Sequence, residues 1–238
     1  MDQVQQGELN PDFRVKQPGT LNPDFYQRHS PIRGRCLVIN NNCFPQYLKH
    51  ELPERRLAYR DGTVSDARAI ECVWKQLHFD NEVRRDAVAG PDEEDSLYEI
   101  LEDEIEMLNK STYDAFVCYI LTHGNRDGEL MMTDGNSVLL SEILQLFNRD
   151  NCHGLVNKPK LFFIQACRGA NIDAGADGSR CVKPACEQNL TESGGERLLD
   201  LPAQSDVLVC YSTVQGFASY HMHGELGSHF IQSDGSDL

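Results

Sequence analysis

Two side chains suited to acyl transfer stand just beyond apolar runs of this sequence: the thiol of Cys167 after "KLFFIQA" and the imidazole of His123 after "FVCYILT". A free thiol, with a pKa of about 8.5, is only slightly ionised at neutral pH. A nucleophilic cysteine therefore gains from an imidazole that takes its proton or stabilises the anion. The same imidazole can then protonate a leaving amine. Gly124, next to the histidine, has no Cβ to block a substrate, so its N–H, with that of Cys167, could form an oxyanion hole. Either side chain alone is ordinary packing or surface chemistry. As a pair they describe a thiol hydrolase.

Such a pair needs a scaffold that brings distant residues to one edge. "RCLVINN" reads as a strand, and "SDARAIECVWKQL" as a helix with apolar positions at Ala67, Ile70, Val73, Trp74 and Leu77 after the cap candidates Ser65 and Asp66. "NEVRRDAV" suggests a second strand, and "EEDSLYEILEDEIEML" a helix with Leu97, Ile100, Leu101, Ile105 and Leu108 on one face. Then come a buried strand in "DAFVCYILTHGN", a helix in "LSEILQLFNR", and further strands in "PKLFFIQACRG" and "SDVLVCYST". Strands that are apolar throughout and alternate with helices predict an α/β fold, a mostly parallel central sheet with helices on both faces. Ligands of such sheets bind beyond the carboxyl ends of the strands. If the strands leading to His123 and Cys167 are parallel neighbours, thiol and imidazole share that edge.

The flanks read differently. Residues 1–32 contain "LNPDF" twice among prolines and show no helical period, which suggests a flexible leader. From about residue 170 to 204 the chain is rich in Gly and acidic residues, too long for a loop inside a compact domain and better suited to an exposed connector. The organisation expected is thus a leader (1–32), a larger catalytic portion (33–177), a cleavable acidic linker (178–204) and a smaller portion (205–238).

Composition narrows the function classes. A formal net charge of −15 over 238 residues disfavours nucleic acid as a partner, because phosphate binding needs clustered Lys and Arg. The N-terminus lacks a basic flank with an apolar stretch, and no run is long enough to cross a bilayer. Nine cysteines, an odd number, with Cys36, Cys118, Cys167 and Cys210 in or beside apolar runs, suggest reduced thiols in a cytoplasmic protein. Cys152, His153, Cys181 and Cys186 match no compact zinc finger, and "VINNNCF" lacks the glycines and lysine of a phosphate loop.

"QACRG" is the local signature around a caspase nucleophile, with a histidine expected about 50 residues upstream; His123 lies 44 residues before Cys167. "RGRCLVINNNCF", "YRDGTVSDA", "ILTHGN", "NKPKLFFIQACRG", "SDVLVCYST" and "GSHFIQS" occur in the order they take in caspases, from about Arg33 to Ser233. The sequence resembles this family, and most of all its initiator branch. The resemblance implies an endopeptidase that cuts after Asp in apoptotic or inflammatory signalling, without a cofactor. Its implied partners are protein substrates, other caspases and death-signalling adaptors. It carries over Cys167 as nucleophile, His123 as its imidazole partner and Gly124 as an oxyanion donor. Arg60 and Gln165 match two residues of the pocket that grips the substrate carboxylate, a task for which a guanidinium fork is better shaped than an ammonium. Ser219 and Tyr220 match the strand that lines the substrate, but His221 stands where the family has a second arginine. An imidazole cannot replace a permanently charged fork. After "FIQS" the family continues through a further helix and strands, whereas this sequence reads "DGSDL", as a truncated product would, and pairing through the usual edge is not expected. A catalytically weak or inactive relative that regulates active caspases or adaptors by binding is the alternative. A small-molecule hydrolase would explain Cys167 and His123 but not Arg60 with Gln165.

Within the linker, Asp177 precedes Gly178, and a small residue after the cut favours cleavage, which makes this bond the expected processing site. Incubation with an active caspase followed by mass spectrometry should yield a fragment beginning at Gly178. Fragments with no such terminus would reject Asp177.

Overall fold

A computed structural model describes residues 26, 30–44, 59, 60, 62–91, 93, 95–125, 128–169, 206–219 and 226–233. Its centre is a five-stranded sheet of β1 (Gly34–Asn40), β2 (Phe79–Arg85), β3 (Phe116–Leu121), β7 (Lys160–Gln165) and β8 (Val207–Tyr211). The order across the sheet is β2-β1-β3-β7-β8, and every pairing is parallel. The α/β architecture expected from the alternating pattern is the one found.

Alternation along each strand divides the core in two. Cys36, Val38, Val117, Tyr119 and Leu121 face helix α1 (Thr63–Gln76), packing with its Ala67 and Ile70. Leu37, Ile39, Phe116, Cys118, Ile120, Phe162 and Ile164 face the other layer, with helices α2 (Leu97–Lys110) and α3 (Leu140–Leu146). Helices on both faces explain why β1 and β3 are apolar almost without interruption.

The helices differ from expectation mainly at their ends. Helix α1 closes at Gln76, and Leu77, expected on its apolar face, is the C-cap residue and 38% exposed. Its N-terminus follows Gly62 at φ 84, a left-handed conformation that glycine adopts freely. Helix α2 carries the expected stripe, with Leu97, Ile100, Leu101, Ile105 and Leu108 buried, but begins at Leu97 rather than near Glu93. Backbone bonds from Val88 N to Asp95 O and from Leu97 N to Val88 O hold the preceding residues in a turn. Helix α3 stops at Leu146, and soon after it Asn148 Oδ1 accepts the N–H groups of Asp150 and Asn151, closing a turn instead of extending the helix.

Two features had no signal in the apolar pattern. One is a small antiparallel sheet of three two-residue strands, β4 (His123–Gly124), β5 (Leu130–Met131) and β6 (Ser137–Val138), too short to show alternation. The other is helix α4 (His229–Ser233). Fully buried Asp66 of α1 accepts the N–H of Ser228 (2.8 and 3.1 Å to its two oxygens) and the Nε2 of Gln232 (3.0 Å), and Ile231 joins the core on the α1 face. No helix among the described residues is long and apolar enough to cross a membrane.

Candidate active site

Register brings the strand ends into one row. Asn40 of β1 lies beside Leu121 of β3, and Leu121 beside Gln165 of β7. The next residues of each strand, Asn41, Thr122 and Ala166, leave the sheet together at its carboxyl edge. Asn41 N donates to Leu121 O (2.9 Å) and Thr122 N to Gln165 O (3.1 Å), so the row stays tied one step past the sheet. His123 and Cys167 follow directly.

Glycine 124 marks how closely these exits approach. A Cβ there would lie 1.9 Å from the carbonyl oxygen of Cys167 and 3.3 Å from the Cβ of Ala166. The backbone of the His123–Gly124 strand therefore presses on that of Cys167. Pairing of His123 with Met131 in the small sheet fixes the segment from its other side.

Cys167 is half-buried, and the N–H of Ser219 points at its sulfur at 3.4 Å. An N–H aimed at sulfur favours negative charge there. Cys36 and Cys118 are core residues whose thiols burial pushes well above the ordinary range, as suits small hydrophobes. Gln165 is fully buried, and its Nε2 lies 2.9 Å from Ser219 Oγ. The strand end of β7 and the segment after β8 are thus joined at both Gln165 and Cys167.

Arg60 is buried to 4% exposure beside the β1 exit. Its backbone N–H donates to Asn42 O (3.3 Å), and its Nη1 donates to Asn41 O (3.0 Å) and Thr63 Oγ1 (3.2 Å). Its Nε and Nη2, the side-on fork of the guanidinium, have no partner among the described residues, and neither does Oε1 of Gln165. Burial lowers the Arg60 pKa to about 10, while the charges of Asp66 and Cys167 act to raise it. At neutral pH the group remains a cation.

The residues after Cys167 serve the frame. Arg168 lies over the Tyr211 ring, 3.8 Å from its centroid, a cation–π contact onto β8. Gly169 is in contact with Gly216, where a Cβ would come within 2.1 Å of backbone atoms. Glycine is thus needed there for close passage of two backbones.

Of the residues singled out in the sequence, Cys167 meets both Gly124 and Ser219, Ser219 also meets Gln165, His123 adjoins Gly124, and Arg60 is buried beside the neighbouring β1 exit. Tyr220, His221 and Asp177 lie outside the described residues, as do the leader up to residue 25 and the linker from 170 to 205. Asn41, Thr63 and Thr122, which seat the site, were not singled out. Buried polar residues directly after an apolar strand, as in "VINNN" and "ILTHG", were the available signal.

The parallel sheet thus carries a thiol beyond one strand and an imidazole beyond its neighbour, at one edge. The chain belongs to the caspase domain family, whose model matches residues 33–233. It is 34% identical over 208 residues to caspase-3 of Xenopus laevis, covering 87% of this chain and 64% of that protein. To caspase-8 of Mus musculus it is 31% identical over 208 residues, with 87% and 42% covered. To caspase-2 of Gallus gallus it is 31% identical over 212 residues, with 87% and 47% covered. The chain thus spans between 42% and 64% of the length of these relatives.

Contact at Gly124 yields a direct expectation. Gly124→Ala forces a methyl group against the Cys167 carbonyl and should destabilise the fold by about 1–3 kcal/mol. Urea denaturation measures it, and an unchanged midpoint would mean that the two segments are not packed this closely.

Proposed function

We propose that this protein is a cysteine endopeptidase that cleaves peptide bonds after aspartate in apoptotic or inflammatory proteolytic signalling. The observation that carries the reading is the side-on fork of buried Arg60, which has no partner among the described residues and stands beside the β1 exit, at the sheet edge where Cys167 follows β7. Two parallel N–H donors fit a carboxylate, and burial excludes the water that would weaken the pair. Gln165 fits the same pocket if its amide oxygen and nitrogen exchange places: the Ser219 hydroxyl then donates to the amide, and Nε2 becomes available as a donor. Ser219, Tyr220 and His221 would line the substrate alongside.

Catalysis would follow from the strand ends. The Cys167 sulfur attacks the main-chain carbonyl carbon of the aspartate, with its proton passing to His123. The tetrahedral oxyanion takes hydrogen bonds from the N–H groups of Gly124 and Cys167. His123 returns the proton to the departing amine, leaving a thioester, which water then hydrolyses with His123 as base. No cofactor enters this sequence. Residues 33–177 and 205–238 would form the two portions of a cytoplasmic zymogen, with the linker cut after Asp177. Its partners would be protein substrates, other caspases and death-signalling adaptors.

A second reading is favoured by His221. With an imidazole in place of a second arginine, the chain would bind active caspases or adaptors and regulate them without turnover.

Release of a fluorophore from tetrapeptides ending in Asp separates the two. The first reading predicts turnover that is abolished in Cys167→Ala and reduced about 100-fold in kcat/KM in Arg60→Lys, which lacks the fork. Absence of turnover from protein shown by circular dichroism to be folded would overturn the protease in favour of the regulator.

A further inference from the structure

An imidazole that must serve a sulfur needs its ring plane held as well as its backbone. The small sheet fixes the His123 backbone through Met131. Against the ring stands Phe44, 2% exposed, with ring centroids 4.9 Å apart and planes inclined by 56°. Phe44 lies four residues beyond Asn40 on the segment that leaves β1, and a carboxylate holds that segment. Asp86 Oδ1 accepts the N–H groups of Asn42 (2.7 Å) and Cys43 (2.8 Å), while Asp86 N donates to Asn40 O (3.2 Å). Asp86 sits just past β2 at φ 54, a left-handed conformation that Asp tolerates better than most residues. Asn41 braces the same segment by accepting the N–H of Ala87 on Oδ1 (2.9 Å) and donating from Nδ2 to Thr122 Oγ1 (3.3 Å), the residue before His123.

We infer that Phe44, anchored through the Asp86 carboxylate, is a positioning residue that sets the ring orientation of His123. The inference rests on the reading of His123 as the proton carrier for Cys167. Phe44 offers no donor or acceptor to the reaction and acts through the imidazole it packs against. Its ring restricts rotation of the imidazole about its last torsion, a broad, roughly two-fold angle in histidine. A ring turned away from the sulfur would leave substrate binding intact and slow proton transfer, since small misplacements carry large rate penalties.

The test combines kinetics with a spectroscopic readout. Phe44→Leu, which keeps apolar volume and loses the flat face, should lower kcat about tenfold with KM changed by less than about twofold. Asp86→Ala should lower kcat in the same direction, and Asp86→Asn by less, because the amide oxygen still accepts both N–H groups. In the Cys167→Ala background, the nuclear Overhauser contacts of the His123 ring protons with neighbours other than Phe44 should change in Phe44→Leu, as a reoriented ring requires. Variants that keep the parental kcat while remaining folded, or ring-proton contacts unchanged by Phe44→Leu, would overturn the inference. Absence of Cys167-dependent turnover in the parent protein would instead defeat the protease reading, and the NMR comparison would still decide whether Phe44 orients the ring.

Discussion

A guanidinium buried to 4% exposure is the constraint around which this edge of the molecule is organised. Removing a cation from water is costly unless its donors are met. Here the structure meets one end of the group, Nη1, with the Asn41 carbonyl and the Thr63 hydroxyl, and leaves Nε and Nη2 without partners among the described residues. The opposing charge of Asp66, itself occupied with Ser228 and Gln232, helps to keep Arg60 charged. An anion placed against the fork would offset the remaining cost, and a substrate carboxylate has the matching shape.

The sheet makes such an arrangement possible at a single edge. Parallel pairing in strict register aligns Asn40, Leu121 and Gln165, and strands spaced by about 4.8 Å bring three chain exits within reach of one small ligand. Each exit supplies a different group: Asn41 supports the cation, Thr122 leads to the imidazole, and Gln165 leads to the thiol. The segment after β8 closes the site, with the Ser219 N–H on the Cys167 sulfur and its hydroxyl on the Gln165 amide. Arg168 on Tyr211 and Gly169 against Gly216 fasten that closure to the sheet.

Much of this was legible in the sequence because each signal has a simple physical origin. Helices on both faces demand largely apolar strands, so β1, β3 and β7 stood out, and the stripe of α2 followed from helical spacing. Cys167 and His123 were visible because reactive side chains directly follow buried strands. The short strands β4, β5 and β6 were not, since two residues cannot display a period. The helix boundaries at Leu97 and Leu146 depend on turn hydrogen bonds from distant or irregular segments. The roles of Asn41 and Phe44 depend on contacts between residues 19 to 81 positions apart, and no local pattern records these.

The central claim is that a carboxylate-binding cation and a nucleophilic thiol serve one substrate site. The most direct measurement is intact-protein mass spectrometry after exposure to peptidyl chloromethyl ketones that end in Asp or in its uncharged isostere Asn. The account predicts a single adduct on Cys167 with the Asp reagent and little with the Asn reagent. Equal labelling by both, or labelling elsewhere in the chain with Cys167 spared, would contradict it.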